Sequence, residues 1–155
     1  MTYKEEYRDL FSAPDEYYFA QCISADFKMG AGIALQFNVK FDIKNKLISK
    51  YPDYFDDFAR FDENGRNGDC IIYGGVLNLV TKVHYWEKPT LESMSGALMN
   101  MKRLTKLYHI HNIAMPQIGC GLDRLHWADV SKIIQDTFQD TAVNILVCKH
   151  KVSIQ

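Results

Sequence analysis

Gly119-Cys120-Gly121-Leu122-Asp123 sets two glycines and a carboxylate side by side. Glycines that bracket one residue let the backbone approach a ligand closely and present free N–H groups. The apolar run Ile113-Ala114-Met115-Pro116-Gln117-Ile118 precedes this stretch, and an amphipathic run begins near His126. The order is strand, glycine loop, helix, and the helix N-terminus adds partial positive charge. Such a loop would cradle a phosphate, although a glycine pair after a strand is also an ordinary turn. Upstream, Met29-Gly30-Ala31-Gly32-Ile33-Ala34 has the same form: a strand-like run, Tyr17 to Ser24, comes before it, and Ile33, Phe37 and Phe41 follow at helical spacing. Strands of α/β sheets place ligands beyond their carboxyl ends, so both loops could line one crevice.

Several other chemistries are excluded. Gly30-x-Gly32 lacks the third glycine and downstream acid of a dinucleotide fingerprint, and no phosphate-binding P-loop motif occurs. Cys22, Cys70, Cys120 and Cys148 form no C-x-x-C pair, which leaves buried free thiols in a reducing compartment. Asp53, Asp56, Asp57 and Asp62 do not have EF-hand spacing and read as a solvated acidic surface. Lys82 closes an apolar run and, taken alone, reads as a solvated strand-edge residue.

The elements that would position these residues alternate along the chain. Residues 2–8 read as an edge strand, and Ser12 to Glu16 as a turn. A helix continues from the first glycine loop to about Lys50 and gives way to a proline-broken loop around Tyr51-Pro52-Asp53. Glu63 to Gly68 is a turn. Asp69 to Thr81 is strand-like on both sides of Gly74-Gly75, a hairpin or bulge signal. Thr90 N-caps a helix to about residue 107, whose Leu91, Met94, Leu98, Met101 and Leu104 recur at core spacing. Val130, Ile133, Ile134 and Phe138 mark the last helix, Val143 to Cys148 the last strand, and a polar tail runs to Gln155. Interleaved strands and helices predict a three-layer α/β/α sandwich with a mixed central sheet.

At 155 residues, 47% of them hydrophobic and 24% charged, the chain is expected to form one domain, 1–155, with a real core. A formal net charge of −1 leaves no basic field for a polyanion, so phosphate binding must be local and through backbone amides. No leader and no long apolar run is evident, which predicts a soluble cytoplasmic protein (or a nuclear one, if eukaryotic) with no membrane association. The absence of heptads makes a monomer the default.

The blocks Asp9-Leu10-Phe11, Cys22-Ile23-Ser24-x-Asp26, Met29 to Ala34, Thr81-Lys82, Lys88-Pro89-Thr90 and Met115-Pro116-x-Ile118-Gly119-Cys120-Gly121-Leu122-Asp123-Arg124-Leu125-x-Trp127 resemble the macro domain family. They are most similar to its terminal ADP-ribose protein glycohydrolase branch, and they cover nearly the whole chain in order. The resemblance implies that Asp9, with Leu10 beside it, accepts a hydrogen bond from adenine. It implies that Ser24 and Met29, Gly30, Ala31, Gly32, Ile33 and Ala34 wrap the distal ribose and one phosphate. Pro116, Ile118, Gly119, Cys120, Gly121 and Leu122 would wrap the other. Lys82 matches the branch's catalytic lysine and Asp123 its catalytic aspartate. Arg8 stands where the family often has glycine, and Ser24-Ala25-Asp26-Phe27-Lys28 replaces the asparagine-bearing loop of the larger hydrolase branch, a departure that favours lysine–aspartate chemistry.

The implied reaction removes ADP-ribose from acidic side chains, or deacylates O-acyl-ADP-ribose, with no cofactor or metal. Lys82 would attack C1″ of the distal ribose and Asp123 would transfer the proton. A free lysine with pKa about 10.4 is neutral in only about one molecule in two thousand at pH 7, and a nearby carboxylate raises that pKa, so Asp123 must act by proton transfer. The alternatives are a reader that binds ADP-ribose or ADP-ribosylated protein without turnover, and the same site acting on ADP-ribose 1″-phosphate or on ADP-ribosylated nucleic acid bases.

Overall fold

A computed structural model describes residues 1–61 and 67–150. Asp62, most of the expected turn from Glu63 to Gly68 and the tail beyond His150 lie outside the described residues. The strands are β1 (Thr2–Tyr7), β2 (Tyr18–Ser24), β3 (Asp69–Tyr73), β4 (Val76–Lys82), β5 (Asn112–Met115) and β6 (Asn144–Lys149). They form one sheet in the order β1-β6-β5-β2-β4-β3. Every pairing is parallel except the β3–β4 hairpin at Gly74-Gly75, so the sheet is mixed.

Side chains alternate across the sheet and divide the core into two layers. Ile113 and Met115 of β5, Ile145 and Val147 of β6, and Leu77 and Leu79 of β4 meet helices α4 (Leu91–Leu107) and α5 (Trp127–Phe138). Ala114, Leu146, Val76 and Val80 face the opposite side, where α1 (Gly32–Phe41), α2 (Ile43–Lys50) and α3 (Tyr54–Phe61) supply Phe37, Ile43, Leu47 and Phe58. The three-layer α/β/α sandwich is the architecture expected from the chain. Among the described residues no helix is long and apolar enough to cross a membrane.

The α4 boundaries agree with the reading from sequence, because the cap is local chemistry: Thr90 Oγ1 accepts from Ser93 N at 3.0 Å and Ser93 Oγ accepts from Thr90 N at 3.0 Å. Two expectations need correction. The helix expected to run unbroken to Lys50 is two helices, because Asp42 adopts a left-handed φ of 53° that ends α1 and turns the chain into α2. The expected loop after Pro52 contains α3. Asp56 and Asp57 complement its N-terminal dipole, while Tyr54 stacks on Phe27 and Phe58 at 5.4 and 5.8 Å. Both aspartates are exposed, and among the described residues no three His, Cys, Asp or Glu side chains gather to hold a metal.

Candidate active site

β2 and β5 are parallel neighbours, with Tyr18 opposite Ile113, although some ninety positions separate them in the chain. The glycine loop after β2 leads to α1 on one face, and the loop after β5 leads to α5 on the other. Connections that leave adjacent strand ends toward opposite faces open a crevice between them. A cavity of about 650 Å³ lies there, walled by residues from the carboxyl ends of β2, β4, β5 and β6. That volume suits a nucleotide-sized ligand.

The cavity gathers almost all the residues picked out from the sequence. Ser24, Met29, Gly30, Ala31, Gly32, Ile33 and Ala34 line one side, and Pro116, Ile118, Gly119, Cys120, Gly121 and Leu122 the other, with Lys82 and Asp123 between. The two loops meet, since a Cβ built on Gly32 would lie 3.4 Å from Leu122 Cδ1. Asp9 and Leu10 do not line the cavity. Asp9 caps a short 3-10 turn (Leu10–Ser12) by accepting from Phe11 N at 3.1 Å, and Leu10 is buried beside it. Cys148 and His150 line the wall, and the charge of Asp9 reaches Cys148.

Lys82 is not a solvated edge residue. The register slips at the end of β2, so that Ile23 pairs with Val80 and Ser24 with Lys82. This bulge re-aims the β4 terminus toward the cavity. The side chain is only 14% exposed, and its Nζ donates to Asp123 Oδ1 at 2.7 Å. The partners are 41 positions apart in the chain. Asp123 is held by its loop, where Leu125 N donates to Gly119 O at 2.8 Å and Lys88 Nζ donates to Leu122 O at 2.7 Å. α5 starts at Trp127, four positions beyond Asp123, so the helix does not begin at the glycine loop itself.

Asp26 ties the first loop to the segment after β4. It accepts from Ser24 Oγ at 2.5 Å, Lys28 N at 3.1 Å and Tyr85 N at 2.9 Å. Phe27 and Met29, at φ 55° and 46°, hold left-handed backbone in that loop, conformations that cost about 1 kcal/mol or more each. The cavity thiols are poor nucleophiles. Burial, with the Asp123 carboxylate behind it, pushes Cys120 up to about 11 and Cys22 well above the ordinary thiol range. Lys28, Tyr85, Lys88, Gln117, Cys148 and His150 also line the cavity. Lys88 stands in the Lys-Pro-Thr block and His150 in a tail read from sequence as a frayed terminus that could border the adenine; no pattern in the sequence marked Lys28, Tyr85, Gln117 or Cys148 as lining.

No protein-family model matches the chain. The human ADP-ribose glycohydrolase OARD1 is 36% identical over 139 residues, covering 90% of this chain and 86% of that protein. The DNA ADP-ribosyl glycohydrolase of Mycobacterium tuberculosis is 26% identical over 121 residues, covering 72% of this chain and 32% of that protein. The solved macrodomain of Mycobacterium tuberculosis DarG superposes with a TM-score of 0.74 at 22% identity, covering 97% of this chain and 99% of that one.

Proposed function

The chain belongs to the macro domain family of ADP-ribose glycohydrolases, and from that membership we propose that Lys82 is the nucleophile and Asp123 its proton partner in hydrolysis at C1″ of ADP-ribose. The observation that carries this reading is the 2.7 Å contact between Lys82 Nζ and Asp123 Oδ1 in the wall shared by the two glycine loops. A proton moving from Nζ to Oδ1 converts an ammonium–carboxylate pair into a neutral amine and a carboxylic acid. The amine then has a lone pair for attack.

In the first step Nζ bonds to C1″, the C1″–O bond to the acyl group breaks, and the carboxylate leaves with the electron pair. In the second, water attacks C1″ of the lysyl–sugar adduct. The amine leaves with a proton supplied through Asp123, and ADP-ribose is released. The amides of Gly119 to Leu122 hold one phosphate. Ser24 and Met29 to Ala34 hold the distal ribose and the other phosphate. An adenine extending past Cys148 would meet Asp9.

The substrate of this reading is ADP-ribose esterified at C1″, either on an acidic side chain or as a 1″-O-acyl-ADP-ribose. A second reading, ADP-ribose linked to a nucleic acid base, draws support from the DNA-directed relative. Calorimetry with free ADP-ribose tests the ligand: binding tighter than millimolar is expected, and weaker binding overturns the reading. Lys82→Ala should keep that binding and release no ADP-ribose from modified acidic side chains; turnover at the wild-type rate would remove Lys82 as nucleophile. Asp123→Ala should stall the reaction with a covalent adduct visible by intact-mass spectrometry, and full activity would sink its role.

A further inference from the structure

β4 ends at Lys82, and three positions later the chain enters the cavity wall again at Tyr85. Tyr85 and Trp86 are 52% and 64% exposed. They are nevertheless held in place. The Trp86 indole lies flat on the His84 ring, with centroids 4.3 Å apart and planes 5° apart, and Phe55 continues the packing behind His84 at 5.5 Å. Tyr85 meets Trp86 edge to face at 5.2 Å and 85°. The backbone beneath is fixed at both ends: Tyr85 N donates to Asp26 at 2.9 Å, His84 N to Glu87 at 2.6 Å, and Glu87 N to His84 O at 3.1 Å.

From this geometry we propose that the Trp86 indole, backed by His84 and flanked edge-on by Tyr85, is a stacking platform for a nucleobase of a single-stranded nucleic acid whose ADP-ribosylated nucleotide occupies the adjacent cavity. The proposal rests on the ADP-ribosyl hydrolase reading above and assigns the substrate class that lies outside the ADP-ribose moiety. A flat aromatic surface, ordered without being buried, is what the π-face of any base requires. Cations for the strand's phosphates stand beside it. Lys28 Nζ lies 5.5 Å over the Tyr85 ring, and Lys88 lines the same cavity. The nearby carboxylates, Asp26 and Glu87, are turned to backbone N–H groups. With a formal net charge of −1 the molecule has no surface for tracking a duplex, whereas one or two stacked bases need little area.

Release of ADP-ribose is compared for wild type, Trp86→Ala and Trp86→Phe on an ADP-ribosylated single-stranded oligonucleotide and on an ADP-ribosylated glutamate peptide. Trp86→Ala should lose about 10- to 100-fold in kcat/KM on the oligonucleotide, mainly through KM. The peptide reaction and calorimetric binding of free ADP-ribose should be unchanged, and Trp86→Phe should recover most of the loss. Equal loss on both substrates, no loss on the oligonucleotide, or a wild type that acts only on the peptide overturns the platform. If free ADP-ribose fails to bind, the hydrolase reading falls instead. The platform is then read with an unmodified oligothymidylate, which should quench tryptophan fluorescence in wild type and not in Trp86→Phe, where Trp127 is the remaining tryptophan. Absence of quenching in wild type overturns it.

Discussion

Asp123 acts on two neighbours at once. It accepts the Lys82 proton at 2.7 Å, and its charge helps to hold the Cys120 thiol up to about 11, second to burial. Cys120 should therefore react slowly with iodoacetamide at pH 8, though it is not fully buried, and the rate should climb as pH approaches that value. Asp123→Asn removes the charge and should speed the reaction at pH 8; an unchanged rate would place the carboxylate elsewhere in solution. Lys82→Arg separates nucleophile from mere cation. A guanidinium can keep the contact with Asp123 but stays protonated at any working pH. Binding of ADP-ribose should persist while turnover disappears, and turnover in that variant would point to an electrostatic role.

At the level of elements, the second glycine loop depends on one backbone conformation. Gly119 has φ 74°, and a Cβ there would sit 2.7 Å from Met94 Cε and 3.0 Å from Leu125 Cδ1. Gly119→Ala should cost about 1–3 kcal/mol in chemical denaturation and weaken ADP-ribose binding, because the loop must shift to relieve both strain and overlap. A variant with wild-type stability and affinity would mean that the loop is not rigid. The edge strand β1 is tied down by Glu5. Its carboxylate accepts from Tyr3 at 2.6 Å and from the Trp127 indole at 3.2 Å, and pairs with Lys149 at 3.6 Å. Burial pushes this carboxyl up, yet the hydrogen bonds from Tyr3 and Trp127 and the Lys149 charge outweigh it and hold it below 4.5. A depressed folded-state value contributes stability above the unfolded-state value and loses it as pH falls through the folded one. Acid unfolding should therefore steepen below pH 4.5, and Glu5→Gln should flatten that part of the curve in a pH series of thermal melts.

For the whole molecule, a ligand that binds only the folded state adds stability by mass action. ADP-ribose at about a hundred times its Kd should add roughly 2.7 kcal/mol and raise Tm by about 5–10 °C for a chain of this size. The Lys82→Ala variant should show the same rise, and no shift in either protein would contradict a folded ADP-ribose site. Much of this molecule is written in local chemistry. The Thr90 cap, the Gly74-Gly75 hairpin and the strand–glycine–helix order of both loops follow from side chains within a few positions of one another, and the interleaving of strands with helices was enough to predict three layers. The break at Asp42 and helix α3 were not legible, because one depends on a left-handed residue that is not glycine and the other on Tyr54 and Phe58 finding Phe27 across the fold. The site divides in the same way. Residue types and spacing picked out the two glycine loops and the carboxylate of Asp123, whereas Lys82, read alone, was a strand-edge lysine and became a candidate only through the resemblance to the macro domain family. That β2 lies against β5, that the slip at Ile23–Ser24 brings Lys82 out of the strand edge and onto Asp123, and that Tyr85 lines the cavity depend on pairings between segments tens of residues apart. Strand order and register are set by burial of the whole sheet between two helical layers, and no local stretch of sequence contains that information.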